Sequence, residues 1–386
     1  MSENVVVLGS GYAGAGAVQS LESSLGRSAE LTWVSDVDYH LVLHESHRCI
    51  RDPSVREEIT IPVHEIKSSS TTFRQGRVVG VDTDDRTVEL EDGEVEYDYL
   101  LVALGSSTAF FGIEGLEAYA HTLKSLDDAL GIHDDVADAA AGAAPDDPAQ
   151  VVIGGAGLSG IQTAGEIAEY RDDHDAPLDI HLVEGLDRVF PNNDPQLQGA
   201  LRKRLEAAGV EIHTGEFIGE VDENRVYVGE DTEMAYDVLV WTGGITGRDC
   251  VADASIDKDD RSRRLFADRT FETDDDRVFA LGDCALVDQP GDNPAPPTAQ
   301  AAWQAAEVAG ENVARRVRGQ PLTEWTHKDK GTVVSVGETA VAHDVLYVPL
   351  TTFGGTPAKL LKKGIAARWI ADIAGVGRAM DAWSDM

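Results

Sequence analysis

The stretch "VVIGGAGLSGIQTAGE", Val151–Glu166, runs from a buried strand through a glycine-rich turn into the opening of a helix. The chain has already made the same move at its start, in "VVVLGSGYAGAGAVQSLE", Val5–Glu22. In Gly9-Ser-Gly11-Tyr12-Ala13-Gly14 the first glycine permits a tight turn. The second lets a pyrophosphate approach the backbone, and the third lets helix pack on strand. A phosphate then sits on the positive end of the helix. Gly155, Gly157 and Gly160 repeat the pattern. A glycine triplet alone is weak, but one set between an apolar strand and a helix inside a βαβ unit is specific.

Outward from these two turns the chain reads as weak internal repeats. The first unit has strands Asn4–Leu8 and Glu30–Ser35 around a helix Tyr12–Leu25. The second has strands Val151–Ile153 and Asp179–Glu184. Each is followed by an alternating, turn-rich segment that predicts an antiparallel meander, then by a buried strand opening on Tyr-Asp. These are "YDYLLVALGS", turning at Gly105, and "YDVLVWTGG", turning at Gly244. Between them lie a helix near Leu126–Ala139 and an Ala/Asp/Pro connector. Alternating β and α segments of this kind predict an α/β fold with parallel sheets.

Composition narrows the function classes. With 386 residues there is room for two or three domains. The 69 acidic and 32 basic residues give a formal net charge of −37, spread along the chain. Such a coat suits a protein bathed in high salt and repels nucleic acid. The three cysteines, Cys49, Cys250 and Cys284, form no close pair, which points to a reducing compartment and against a disulfide framework. The first strand begins too near the initiator Met for a signal peptide, and no apolar run is long enough to span a bilayer. An intracellular, non-spanning protein is expected.

An acid near the end of each unit's second strand would hold a ribose. Glu184 ends "DIHLVE" and favours NADH over NADPH, because a carboxylate repels a 2′-phosphate. In the first unit the slot falls on Ser35, with Asp36 one step later on the opposite side. Either Ser35 or Asp36 holds the ribose, or Asp36 is one more solvated acid. "VFALGDCA", Val278–Ala285, is a buried strand ending at Gly282-Asp283, where an acid can reach the sugar-alcohol chain of a flavin dinucleotide.

With two cradles and this strand on the page, the chain resembles the two-dinucleotide flavoprotein reductases over nearly its whole length. The resemblance implies FAD in the N-terminal cradle, the nicotinamide dinucleotide in the middle one, and the Gly-Asp strand completing the FAD site. The absence of a cysteine pair sets aside the disulfide-reductase branch. Three segments resemble the type II NADH dehydrogenases, single-chain NADH:quinone oxidoreductases of respiratory electron transport: "LTWVSDVDYHLVLHES", "LGSSTAFFGIEGLEAYAHTLKSLDDAL" and "PPTAQAAWQAAEVAGENV". On that resemblance residues 1–110 and 246–325 form the FAD-binding domain, 111–245 the NAD(H)-binding domain, and 326–386 a small C-terminal membrane-associating segment.

By the same resemblance Gln300 and Gln304 are flavin- and quinone-site residues. One turn apart on a helix opened by Pro296-Pro297-Thr298, they face one side. Lys330, in "HKDKGTVVSVG", is read either as a cation near the flavin or as a surface lysine. Gln162 stands where the family usually has glutamate, and it hydrogen-bonds without shuttling a proton. No metal is expected: His40, His44, His47 and His64 lack ligand spacing with cysteines and read as ordinary polar residues. The tail, "TPAKLLKKGIAARWIADIAGVGRAMDAW", places Leu361, Ile365, Trp369, Ile373, Val376, Met380 and Trp383 at three- and four-residue spacing. With Lys359, Lys362, Lys363, Arg368 and Arg378 it reads as an amphipathic helix on the cytoplasmic face of a membrane, or as a helix docked on its own domain or at a homodimer contact. Two other functions stand beside the main one: a soluble NADH-dependent reductase of a carrier protein, and a sulfide:quinone-type oxidoreductase.

Overall fold

A computed structural model describes residues 3–385. Its first parallel sheet orders the strands Val278–Ala280, Tyr99–Val102, Glu3–Leu8, Ala29–Ser35 and Thr71–Gln75. Its second orders Val210–Thr214, Leu178–Glu184, Ala149–Gly154 and Val238–Trp241. Central strands buried on both faces must be apolar throughout. Val5, Val6, Val7 and Leu8 are accordingly sealed from solvent, as are Val151, Val152 and Ile153. The chain leaves the first sheet after Val102, builds the second, and returns with Val278–Ala280 beside Tyr99–Val102. Short strands Ser107–Thr108 and Ile245–Thr246 pair antiparallel where it crosses over and back.

Antiparallel meanders accompany both sheets, Val78–Asp82 to Gly93–Glu96 and Ile218–Val221 to Thr232–Ala235. The second closes over Val152, Val183 and Leu239 in a cluster of its own. The strand Thr71–Gln75 and the 3₁₀ helix Leu43–Ile50 are additions that periodicity did not signal. The connector helix runs Leu126–Gly142 and starts in a Ser125/Asp128 capping box.

Two helices cross at unusually short range. A Cβ on Gly16 would fall 2.7 Å from that of Ala306, and one on Gly310 would fall 2.8 Å from the carbonyl oxygen of Ala17. The helix Tyr12–Leu25 therefore lies almost backbone to backbone on the helix Ala299–Val317. That contact sets the start of the second helix beside the first glycine turn.

The C-terminal part is a hairpin, Thr332–Val336 with Thr339–His343, a third strand Thr352–Gly354, and a helix Thr356–Asp385 interrupted at Gly375. Among the described residues no helix is long and apolar enough to cross a membrane. The expected single outward stripe is corrected. Trp369 and Ile373 are buried against the protein itself, whereas Ile365, Val376, Met380 and Trp383 face outward. Lys362, expected among the headgroup-facing cations, is also buried. The alanines decide the orientation: Ala358, Ala366, Ala379 and Ala382 permit close docking, and a stripe defined by bulky residues alone misses that face.

Trp369 is the key of this docking. Its ring centroid lies 4.9 Å from those of both Tyr12 and Trp303, and its Nε1 donates to His40 Nε2 at 2.8 Å. Trp369→Ala is expected to destabilise the fold by about 3–5 kcal/mol. Val376→Ala, on the exposed face, should stay within about 0.5 kcal/mol. Denaturant unfolding of both variants checks the pair.

Candidate active site

The two glycine turns have the same stereochemistry. Gly9 and Gly155 sit at φ +100° and +92°, where an L side chain is strained. A Cβ on Gly14 would meet the Gly9 carbonyl oxygen at 1.9 Å, and one on Gly160 would meet that of Gly155 at 1.9 Å. The middle glycines differ in kind: a Cβ on Gly11 or Gly157 would have nothing within 4 Å. Each occupies the N-cap position of its helix, and no side chain caps either one. The amides of both helix ends are thus offered to open space, as an anion requires. The residues present fit a dinucleotide in each turn.

Gly282 (φ +74°) brings its own turn against the first cradle, where a Cβ would lie 3.1 Å from that of Ala13. Asp283 is half-buried there. Burial lowers the pKa of nearby Lys124, opposed by the charge of Asp283, and Lys124 Nζ donates to Ser106 Oγ at 3.2 Å. Gly105 (φ +66°) opens onto free space, whereas a Cβ on Gly244 would strike the Phe111 ring. Ser35 is buried, its hydroxyl 2.9 Å from that of Ser10, so it ties the strand end to the glycine turn. Asp36 is exposed, 4.0 Å from the Arg77 guanidinium. In the second unit both Glu184 oxygens accept backbone amides, from Ala156 at 2.8 Å and Leu186 at 3.0 Å. Tyr12 is buried, its hydroxyl bonded to His44 Nδ1.

Thr298 caps the helix Ala299–Val317 through the Ala301 amide. Gln300 accepts from the Lys330 amide at 2.8 Å and donates to the Gly331 carbonyl at 3.1 Å. Gln304 accepts from the Lys328 amide at 3.2 Å and donates to its carbonyl at 3.0 Å. The two glutamines clamp residues 328–331 across the start of the helix by main-chain bonds. The Lys330 side chain is exposed.

Gln162 leads somewhere the sequence did not. It is buried, and its Nε2 lies 3.1 Å from Ser335 Oγ and 3.3 Å from His47 Nε2. Lys362 Nζ reaches Ser335 Oγ at 2.8 Å, His47 Nε2 at 3.1 Å and Glu45 Oε1 at 3.1 Å. Glu166, also buried, has Arg51 Nε at 3.6 Å and His47 Nε2 at 3.9 Å. The group is drawn from the 3₁₀ helix, the helix Leu158–His174, the C-terminal hairpin and the last helix. Gly165 allows the meeting, since a Cβ there would lie 2.4 Å from the Gly337 amide nitrogen.

Burial sets the protonation of this cluster. It raises Glu166 to about 7 despite Arg51 and Lys362, and it drives His47 well below its ordinary value, helped by Lys362. For Glu45 burial is outweighed by Lys362, His44 and Arg48 together, and its pKa falls. His40 and His44 are lowered to about 4, chiefly by burial. Reading His40, His44 and His47 as ordinary polar residues is therefore corrected: all three are neutral, inward-facing and hydrogen-bonded. Their positions in "DYHLVLHESH" carry no warning, because the partners are remote in sequence: Tyr12 for His44, Ser10 and Trp369 for His40, and Gln162, Ser335 and Lys362 for His47. His64 is exposed. The cysteines are free, and burial raises the thiols of Cys284 to about 11 and Cys49 to about 12.

Two parallel sheets, each carrying a glycine cradle, with the second inserted into the first, define a two-dinucleotide oxidoreductase. A family model described as pyridine nucleotide-disulphide oxidoreductase matches residues 3–306, and the chain belongs to that family. It is 29% identical to a type II NADH:quinone oxidoreductase of Staphylococcus saprophyticus over 397 residues, covering 98% of this chain and 97% of that protein. The match to the protein of that name from Staphylococcus aureus is also 29% identical, over 396 residues. Among solved structures, NDH2 from Plasmodium falciparum in complex with NADH superposes with a TM-score of 0.84 at 16% identity, covering 100% and 98% of the two chains. The sulfide:quinone oxidoreductase of Aquifex aeolicus does so at 0.80 and 18% identity, covering 97% and 92%. At such identity these likenesses concern the fold.

Two expectations follow from the geometry. Gly11→Ala and Gly157→Ala place a methyl in open space, so both variants should fold with near-native unfolding midpoints. The first should lose retained flavin and the second NADH affinity, read by absorbance and titration; unchanged binding in both counts against the cradles. Glu166 keeps its proton to about pH 7 when folded, against an ordinary 4.5. The folded state then holds the extra proton between those values, and stability falls as pH rises through them. Glu166→Gln should gain on wild type by on the order of 3 kcal/mol from pH 4 to pH 8, measured by urea unfolding across that range.

Proposed function

We propose that the chain is an FAD-dependent NADH:quinone oxidoreductase, of the type II NADH dehydrogenase kind. The observation that carries this reading is the pair of cradles whose middle glycines, Gly11 and Gly157, open onto free space at uncapped helix ends. FAD is assigned to Gly9, Gly11, Gly14, Gly105 and Asp283, and NADH to Gly155, Gly157, Gly160 and Glu184. Held by those residues, FAD would supply hydride transfer from reduced nicotinamide and electron-pair transfer to a quinone. The quinone assignment is supported by the near-full-length match to relatives carrying that activity in their name.

The chain's own residues do the rest. The two helix ends hold pyrophosphate charge, and the Ser10–Ser35 bond keeps the first turn on its strand. Glu184, fixed by two amides, presents a carboxylate to a ribose diol and repels a 2′-phosphate. Gln300 and Gln304 position the segment 328–331 at the helix that opens beside the first cradle, so they act on the quinone side by holding its wall. In the buried cluster Gln162 and Ser335 connect Lys362, His47 and Glu166. A carboxyl that titrates near pH 7 is suited to hold and release the protons that quinone reduction consumes. The sulfide reading lacks a paired or acidified thiol to support it.

The outward face of the last helix suits the cytoplasmic surface of a membrane. Leu360, Ile365, Val376, Met380 and Trp383 are exposed, as are Leu346, Tyr347 and Leu350 in the preceding loop. Lys359 and Arg368 flank them, and Lys363 covers the Trp383 ring at 4.8 Å. A second copy of the chain is the competing occupant of that face, and vesicle flotation of the dimeric and monomeric fractions separates the two.

Purified protein assayed in high salt with a soluble quinone tests the whole reading. NADH should exceed NADPH in kcat/KM by at least about tenfold, or ~1.4 kcal/mol, and sulfide should give no turnover. Equal use of the two nucleotides, or turnover with sulfide, overturns it.

A further inference from the structure

On the NAD(H)-binding sheet, away from both cradles, three side chains converge. His181 and Glu211 are register partners on adjacent parallel strands, and His213 is paired with Val183. All three therefore lie on one face of the sheet. The meander covers the far part of that face, over Val152, Val183 and Leu239, and stops short of these residues. The His181 side chain is 13% exposed, that of His213 35% and that of Glu211 66%.

Their separations approach those of a coordination shell. His181 Nδ1 lies 3.3 Å from His213 Nε2 and 3.4 Å from Glu211 Oε2, and His213 Nε2 lies 3.9 Å from Glu211 Oε1. Tetrahedral bonds of roughly 2.0–2.1 Å hold neighbouring ligand atoms about 3.3–3.4 Å apart. The edge between the two imidazoles already has that length; Glu211 approaches them through different oxygens, so its exposed carboxylate must turn to bring a single oxygen to both nitrogens, and the three ligand atoms lie within 4.8 Å of one another.

A second feature is independent of those distances. His181 Nε2 is 2.9 Å from Gln150 Oε1, which can only accept, so Nε2 carries the proton. The amide of Gln150 is itself oriented, since its Nε2 donates to the Pro148 carbonyl at 2.9 Å and to Asp179 Oδ2 at 3.1 Å. The lone pair of His181 is thereby fixed on Nδ1 and aimed at His213 and Glu211. A ligating imidazole whose other nitrogen donates to an oriented oxygen is the arrangement that tunes metal-binding histidines.

We propose that His181, Glu211 and His213 bind a zinc-class divalent metal ion, with a solvent molecule in the fourth position. Two imidazoles and a carboxylate suit a borderline ion of that class better than calcium or magnesium, which prefer all-oxygen shells. The strand Val210–Thr214 is the edge of its sheet, and the ion ties it to Leu178–Glu184, the strand that ends in the ribose-binding Glu184. It is a structural clasp on the nicotinamide domain, with an open position that reaction chemistry does not use.

The test is titration of the flavin-loaded, metal-stripped protein with Zn²⁺ in high salt, repeated with Co²⁺ for its visible spectrum. One equivalent should bind, Co²⁺ should give the intense absorption of a tetrahedral site, and Zn²⁺ should raise the unfolding temperature. His213→Ala, whose ring is partly exposed and should leave folding intact, abolishes all three effects, as does His181→Ala. Gln150→Ala keeps the ligands and weakens binding about 10–100-fold. Unchanged stoichiometry in His213→Ala overturns the proposal. So does Co²⁺ bound only in an octahedral, salt-sensitive form, which reports the acidic surface alone.

Discussion

Both glycine turns depend on one steric constraint, the contact of a helix's first turn with the turn that precedes it. At Gly14 a single added carbon would lie 1.9 Å from the Gly9 carbonyl, and at Gly160 the same holds against Gly155. Closing that gap drives the helix axis into the strand end, so the free amides of the helix point past the middle glycine into open space, the geometry that suits an anion. The constraint recurs at larger scale. Gly16 and Gly310 let a second helix lie against the first, and its capped start arrives beside the same turn. A cradle, a returning Gly-Asp turn and a helix start are thus held together by the absence of side chains.

The C-terminal part is bound to this frame by opposite means. Trp369 inserts a large ring among Tyr12, His40 and Trp303, and its indole N–H fixes His40 as an acceptor at Nε2. His40 Nδ1 then donates to the Ser10 carbonyl at 2.7 Å, inside the glycine turn itself. The last helix is therefore coupled to the first cradle through one ring. Beside it, Lys362 carries a charge into the protein, where Glu45, His47 and Ser335 receive it. Removing one partner of such a group leaves a buried charge without compensation, which makes the cluster a strong specifier of how the three units sit together.

Gln162 shows how far sequence reading reached. Its departure from the family's glutamate was visible from "GIQTAGE", but its neighbours were not. Ser335 and Lys362 lie 173 and 200 positions along the chain, and no periodicity links them. Glu166, one helical turn on, carries no local sign of its raised pKa, because the burial that lifts it to about 7 comes from distant segments. Gln300 and Gln304 were legible as a pair on one helix face, yet their amides are engaged with the backbone of residues 328–331. The tail was legible as amphipathic, but its alanine face settled which side meets the protein.

The sequence alone determined the α/β class, the two cradles, the strand that returns to the first, and the acid, Glu184, that ends the second strand of the second unit. These follow from local rules: apolar runs that must be buried on both faces, and glycines at the only spacing that lets a strand turn into a helix. Tertiary structure decided what stands around them. The burial that neutralises His47 and protonates Glu166, the docking of Trp369, and the meeting of His181 with Glu211 and His213 all arise from segments brought together by topology. Desolvation and coordination depend on distances in space, and those are set only once the sheets and helices have packed.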